Sequence, residues 1–199
     1  MAVRSAGLAL AILAMGCCTA FAAVPAGAEE VAKAPLVPAN FAVPTAVEGP
    51  GFKLVPFSPA LAKVDYAAYM SSIEHLQETF SRSTGWPRED ITDADAIKDM
   101  EGEQARFNAR EAFDYSVLTP DGGRELGSVY ITPSPVAGYD AVVRMWVTKA
   151  DYDAGFDAEL YRWVTSWVQT AWPFRKVAYP GRAIDWGTWD AAVAEGKTE

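Results

Sequence analysis

The stretch Ala141–Tyr179 reads AVVRMWVTKADYDAGFDAELYRWVTSWVQTAWPFRKVAY, and its order decides the fold. Val143, Met145 and Val147 alternate with Val142, Arg144 and Trp146, the period of a strand. An acidic loop with a single glycine follows, Lys149–Asp157. From Phe156 to Trp172, Leu160, Trp163, Val164, Trp167, Val168 and Ala171 recur at helical spacing and make a wide apolar face. Trp172-Pro173 stops the helix. Lys176–Tyr179 reads as a return strand, ended by Pro180-Gly181. Strand, loop, helix, strand is a crossover unit. With the two strands parallel, the loop amides at the helix start point at an anion.

On the N-terminal side of this unit, Phe113–Leu118 and Glu125–Thr132 flank Thr119-Pro120-Asp121-Gly122-Gly123, a hairpin signal. Pro133–Tyr139 forms a second turn, so three consecutive strands are expected to be antiparallel. Before them, Asp65–Phe80 reads as a helix with Tyr66, Tyr69, Met70, Ile73, Leu76 and Phe80 on one face. Ser83–Pro87 breaks the chain. Thr92 or Asp93 then caps a second helix, with Asp95 near the capping-box position and a stripe of Ala94, Ile97, Met100, Gln104 and Phe107. Phe52–Phe57 alternates as a first strand, which Pro56 pushes to a sheet edge or a strand end. Ile184–Ala194 reads as a short last helix. The fold class is α+β: a mixed sheet, an antiparallel meander plus one β-α-β crossover, with helices on both faces. Six of the seven tryptophans lie between Trp146 and Trp189, as expected of a core built from large rings.

The 199 residues suffice for one domain, and a net charge of −9 argues against nucleic acid as a partner. A small-molecule or peptide ligand remains compatible with it. Residues 1–28 read as an export signal: Arg4, the apolar run Leu8–Met15, and the small-residue patterns Ala20-Phe21-Ala22 and Ala26-Gly27-Ala28. The run is too short to span a bilayer, so no transmembrane segment is expected after its removal. Ala14-Met15-Gly16-Cys17 is similar to a lipoprotein signal, which would place a lipid anchor on Cys17. Either way a periplasmic or secreted location is expected. Residues 29–50, rich in Ala, Pro and Val, read as a linker or an irregular strap. The domain is then 51–199.

This element order resembles the GNAT-type N-acetyltransferase fold over roughly Phe52–Val193. The words AFDYSVLTPDG and ELGSVYITP look like the hairpin of small GNAT-like proteins, and WPF and YPGR like its fifth-strand region. The resemblance implies an N-acyltransferase-like activity with acetyl-CoA or another acyl-CoA as cofactor. It places cofactor contacts at Val147, Thr148, Gly155 and Phe156. The family's Gln/Arg-x-x-Gly-x-Gly/Ala loop would fall on Tyr152-Asp153-Ala154-Gly155-Phe156-Asp157, where only Gly155 fits. Asp151, Asp153 and Asp157 would add negative charge beside a dianion, each close like-charge contact costing on the order of 1 kcal/mol in water. The family usually carries two more strands after its last helix. No strand-like run follows Tyr179, so a domain truncated at its C-terminus is expected. Acetyl-CoA is cytosolic, and an exported chain would not normally meet it. Two functions stay open: an exported acyltransferase-like enzyme, or a non-catalytic binding or structural module of the cell envelope.

Acyl transfer needs a base for the amine and an acid for the thiolate. Tyr179 borders the crossover and is a candidate acid; an ordinary buried tyrosine is the alternative. His75, the single histidine, lies mid-helix off the main apolar stripe. Glu125, at the hairpin, reads as solvated. Ser166 has no histidine partner in view. Asp151, Asp153 and Asp157 also have the alternating spacing of a calcium loop. Phe156 stands where a glycine turn is needed, though, and Arg162 where a closing glutamate belongs. The simpler reading is that these acids cap helix starts.

Overall fold

The alternation in FDYSVL and ELGSVYITP becomes the centre of a six-stranded sheet. The computed structural model describes residues 35–196. Its strands are β1 (Val47–Gly49), β2 (Phe52–Pro56), β3 (Phe113–Leu118), β4 (Glu125–Pro133), β5 (Ala141–Val147) and β6 (Val177–Ala178). They lie side by side in chain order. Every neighbouring pair is antiparallel except β5 and β6. That exception is the crossover: β5, then the helices α4 (Lys149–Asp153) and α5 (Phe156–Ala171), then β6. The sheet is mixed, with helices on both faces, as the sequence implied.

The two faces have different chemistry. Phe113, Tyr115, Val117, Val129, Ile131, Val143, Met145 and Val147 form one core with Leu160, Val164, Trp167 and Val168 of α5. On the opposite face Trp146 and Tyr130 meet α1 (Ala62–Met70), α2 (Ile73–Leu76) and α3 (Asp93–Asn108). The last helix, α6 (Trp186–Gly196), places Trp189 over Val142 and Ala178.

Four local expectations change. The linker read up to residue 50 has structure from residue 35 on. Val37 is buried in the core, and the Leu36 amide donates to the Arg110 carbonyl at 2.7 Å. Val47–Gly49 pairs with β2, so the 50/51 boundary falls inside a hairpin. Prolines remove donors without preventing a strap from being held by its apolar side chains and carbonyls. The single helix expected over Asp65–Phe80 is broken at Ser71-Ser72. The Ser71 hydroxyl donates to the Ala68 carbonyl at 2.6 Å, a side-chain bond that competes with the helical ladder. A wide turn then carries the chain through Gln77–Ser81. The helix capped by Thr92 and Asp95 forms as read, but it buries Ala96 and Met100 while Ile97 is 44% exposed. Of the two tryptophans placed alike on the apolar face of α5, Trp167 is buried over the sheet and Trp163 is only half-buried. The export signal and Cys17 lie outside the described residues.

Candidate functional site

The ladder between β5 and β6 has two rungs, Ala141↔Val177 and Val142↔Ala178. Pro180 follows, has no amide proton to donate, and bridges to Ile184 instead. Val143–Val147 therefore run on while the chain after β6 turns away, and a cleft opens between them. Its volume is about 280 Å³, and His75, Glu78, Arg144, Tyr152, Asp157, Arg182 and Trp186 supply most of its chemistry. Gly181 lets the Trp186 ring lie against the backbone. Its φ is +72°, and a Cβ there would come within 2.5 Å of the indole.

Arg144 forms the cleft floor. Its guanidinium donates to the Phe80 carbonyl and lies 4.3 Å from the Phe80 ring and 5.6 Å from Trp186. No carboxylate pairs with it among the described residues, and burial lowers its pKa. His75 stands across the cleft, its ring 4.8 Å from that of Tyr152. Burial lowers its pKa and the Lys149 charge lowers it further, so the imidazole is neutral at pH 7. The N-terminus of α5 enters the same cleft, where Asp157 is held in a forked ion pair by Arg182.

No protein-family model matches the sequence, and no curated protein sequence matches it. In structure the chain is similar to the ribosomal-protein-S5-alanine acetyltransferase from Vibrio fischeri. The TM-score is 0.51 at 12% identity, over 64% of this chain and 69% of that one. It is also similar to RimL, a ribosomal alpha-N-protein acetyltransferase, in its complex with coenzyme A. There the TM-score is 0.49 at 13% identity, over 62% of this chain and 67% of that one. The fold is GNAT-like.

Of the contacts expected for a GNAT-like cofactor loop, only Val147 lines the cleft. Thr148 caps α4: its hydroxyl accepts from the Asp151 amide at 3.2 Å and donates to the Asp151 carboxylate at 2.5 Å. Gly155 has φ +84° and joins α4 to α5. Phe156 packs its ring 5.5 Å from Phe52. The loop's amides are largely occupied. That of Thr148 donates to the Leu126 carbonyl, Lys149 to the Ser72 hydroxyl, Tyr152 to Thr148, Ala154 to Ala150, and Gly155 to Tyr152. Helix geometry leaves the amides of Phe156, Asp157 and Ala158 without an intrahelical acceptor, and Asp157 puts its own negative charge beside them. These residues do not fit a coenzyme A diphosphate.

The calcium reading meets a similar obstacle. Asp151 pairs with Arg124 at 2.7 Å, Asp153 with Lys149 at 2.5 Å, and Asp157 with Arg182. Three acids drawn to three cations do not converge on one ion. Tyr179 is absent from the cleft lining. It is 8% exposed and packs its ring 5.8 Å from Tyr161, and burial pushes its pKa up to about 12. It is a core ring, and the candidate acid reading is corrected accordingly.

The largest correction concerns Glu125. It was expected to be solvated and is 1% exposed, under α1 and α3. Ser128 donates to its Oε1 at 2.8 Å, and its buried Oε2 receives no donor. The carboxyl of Asp65 is its neighbour, and two buried acids side by side disfavour each other's ionisation. Asp114, 1% exposed, stands in the same relation to Glu103, with Arg106 3.3 Å from its Oδ2. Burial first, then the neighbouring Glu103, pushes the Asp114 pKa up to about 9. Burial pushes Asp65 up to about 7 and raises Glu125 strongly. One signal for this was in the sequence: Asp65 precedes Tyr69 by one helical turn, on the buried side of the first helix.

Proposed function

We propose that the protein is an exported, GNAT-fold, acyltransferase-like protein whose cleft takes the acyl end of a thioester lacking a nucleotide diphosphate. The observation that carries this reading is Arg144: a half-buried guanidinium with no carboxylate paired to it among the described residues, facing a cleft that opens where β5 and β6 part. A half-buried cation of this kind attracts the carbonyl oxygen or a carboxylate of a ligand. His75, neutral and on the opposite wall, can take the proton that an attacking amine must lose. The occupied loop amides and Asp157 argue against a grip on the diphosphate. The expected donor is an acyl group on a pantetheine-like thiol, which suits a chain carrying an export signal.

Calorimetric titration compares S-acetyl-pantetheine with acetyl-CoA. The two are expected to bind within about threefold of each other, with dissociation constants no better than about 1 mM, or roughly −4 kcal/mol. Arg144→Met is expected to weaken S-acetyl-pantetheine binding by about tenfold, the loss of one charge-assisted hydrogen bond. Micromolar acetyl-CoA binding, with the shorter thioester far weaker, would overturn this assignment. Heat from neither donor favours the second reading, a non-catalytic binding module of the envelope. The observation behind that alternative is that most of the loop amides already donate to carbonyls or to the Ser72 hydroxyl within the protein. Export has its own check. N-terminal sequencing of the envelope fraction should find the chain starting beyond residue 16, and an intact Met1 on cytosolic protein would contradict it.

A further inference from the structure

On the helical face of the sheet lies a second cavity, of about 340 Å³. Its walls are rings. Tyr69 and Trp86 are 5.4 Å apart, Phe80 and Trp86 5.9 Å, Phe80 and Tyr130 5.4 Å, and Phe57 and Tyr130 5.7 Å. Three carboxylates, Asp65, Asp99 and Glu103, share the lining with Ala96 and Met100, and no Lys, Arg or His takes part in it. Glu103 has Arg106 as a partner, but among the described residues no cation forms an ion pair with Asp65 or Asp99, and Lys98 acts on Asp99 only through its charge. Asp65 is 92% buried and lines the cavity, with another carboxyl, Glu125, as its neighbour. A buried carboxylate without a counter-ion, inside a ring of aromatic faces, is what an organic cation requires. Aromatic rings attract such a cation through their quadrupoles, and the carboxylates supply its counter-charge.

We propose that this cavity binds an organic ammonium ion, a methylated or alkylated amine, between Asp65, Asp99 and the rings of Tyr69, Phe80, Trp86 and Tyr130. A bare metal ion would gain little here, because the walls offer rings where it needs more oxygen ligands. An inorganic monovalent cation would lose its hydration to the same rings. The site does not depend on acyl transfer. Phe80 forms a wall common to this cavity and the β5/β6 cleft, yet the two carry opposite charge, carboxylates here and Arg144 there.

The test is calorimetric titration of the protein at pH 8, above the range in which Asp65 holds its proton. Tetramethylammonium chloride is the probe, with potassium chloride at equal ionic strength and tert-butanol as the neutral counterpart. Tetramethylammonium is expected to bind about tenfold or more tightly than tert-butanol, and potassium to give no saturable heat. Asp65→Asn is expected to weaken tetramethylammonium by about tenfold while keeping the circular dichroism of the folded protein. Asp99→Asn, at the partly exposed rim, is expected to weaken it severalfold and serves if the first variant does not fold. No saturable tetramethylammonium heat overturns the proposal. So does equal binding by tetramethylammonium and tert-butanol, or by wild type and the folded Asp-to-Asn variants.

Discussion

Raising the pH from 5 to 9 is expected to destabilise this protein steadily, and Glu125→Gln is expected to flatten that slope. Most acidic proteins lose stability on the acid side, where paired carboxylates must be protonated. The groups that titrate in the neutral range here behave in the opposite sense. Asp65 and Asp114 hold protons in the fold up to about pH 7 and about pH 9, and Glu125 is also raised. In the unfolded chain each ionises near pH 4. Between those limits the unfolded state binds fewer protons than the folded state, so stability falls as pH rises. Each such group takes away roughly 1.4 kcal/mol per pH unit within its window. Carboxylates held low by surface partners, such as Asp140 and Asp185, are ionised in both states across this range and add no slope. His75 works against the trend. Its folded pKa lies below its unfolded one, so it contributes a small gain as pH rises toward about 6.5. It is one group against several. Gln at position 125 keeps the shape of the protonated acid and cannot ionise. The variant should therefore melt higher than wild type at pH 8 and no higher at pH 5. Melting temperatures by circular dichroism across pH 5 to 9 decide this. A flat wild-type profile would mean that the buried carboxyls are hydrated and ordinary.

The same residues mark where the sequence stopped being legible. The meander was readable because strand alternation and the Asp121-Gly122-Gly123 turn are local signals, and the crossover because helical and strand periods follow one another without a gap. Alternation cannot say what covers the polar side of a strand. Asp114, Ser116, Ser128 and Tyr130 alternate with apolar residues on β3 and β4, which is also the pattern of a sheet with one solvated face. Here α1 and α3 cover that face and bury the polar side chains with it. The cleft was half legible. Periodicity placed β5, β6 and the start of α5 correctly. It could not show that KADYD closes into a helix of its own and consumes the amides that an open loop would offer, because Thr148 as a cap and Asp151 as its partner are common in either arrangement. Arg144 read as an ordinary alternating residue. Only the tertiary structure shows that, among the described residues, no carboxylate pairs with it.

Which tryptophan carries the core follows from the same geometry. Trp167→Ala is expected to cost about 3–5 kcal/mol, and Trp163→Ala about half of that or less. Both rings lie on the same helical stripe, one turn apart, and the period alone does not rank them. In the structure Trp167 is 8% exposed. It packs edge-on against Tyr115 at 5.5 Å and Trp172 at 5.7 Å, so its loss leaves a cavity walled by rigid rings that cannot collapse into it. Trp163 lies stacked on Trp167 at 5.7 Å and edge-on to Phe52 at 5.0 Å, with its remaining surface toward solvent. Its removal exposes neighbours to water more than it leaves a void, and that costs less. Urea unfolding of both variants beside wild type measures the two losses on one scale, with the slope checked for constancy. Equal losses would place the helix α5 rotated from the orientation described. A Trp163 loss exceeding that of Trp167 would move the core toward β2.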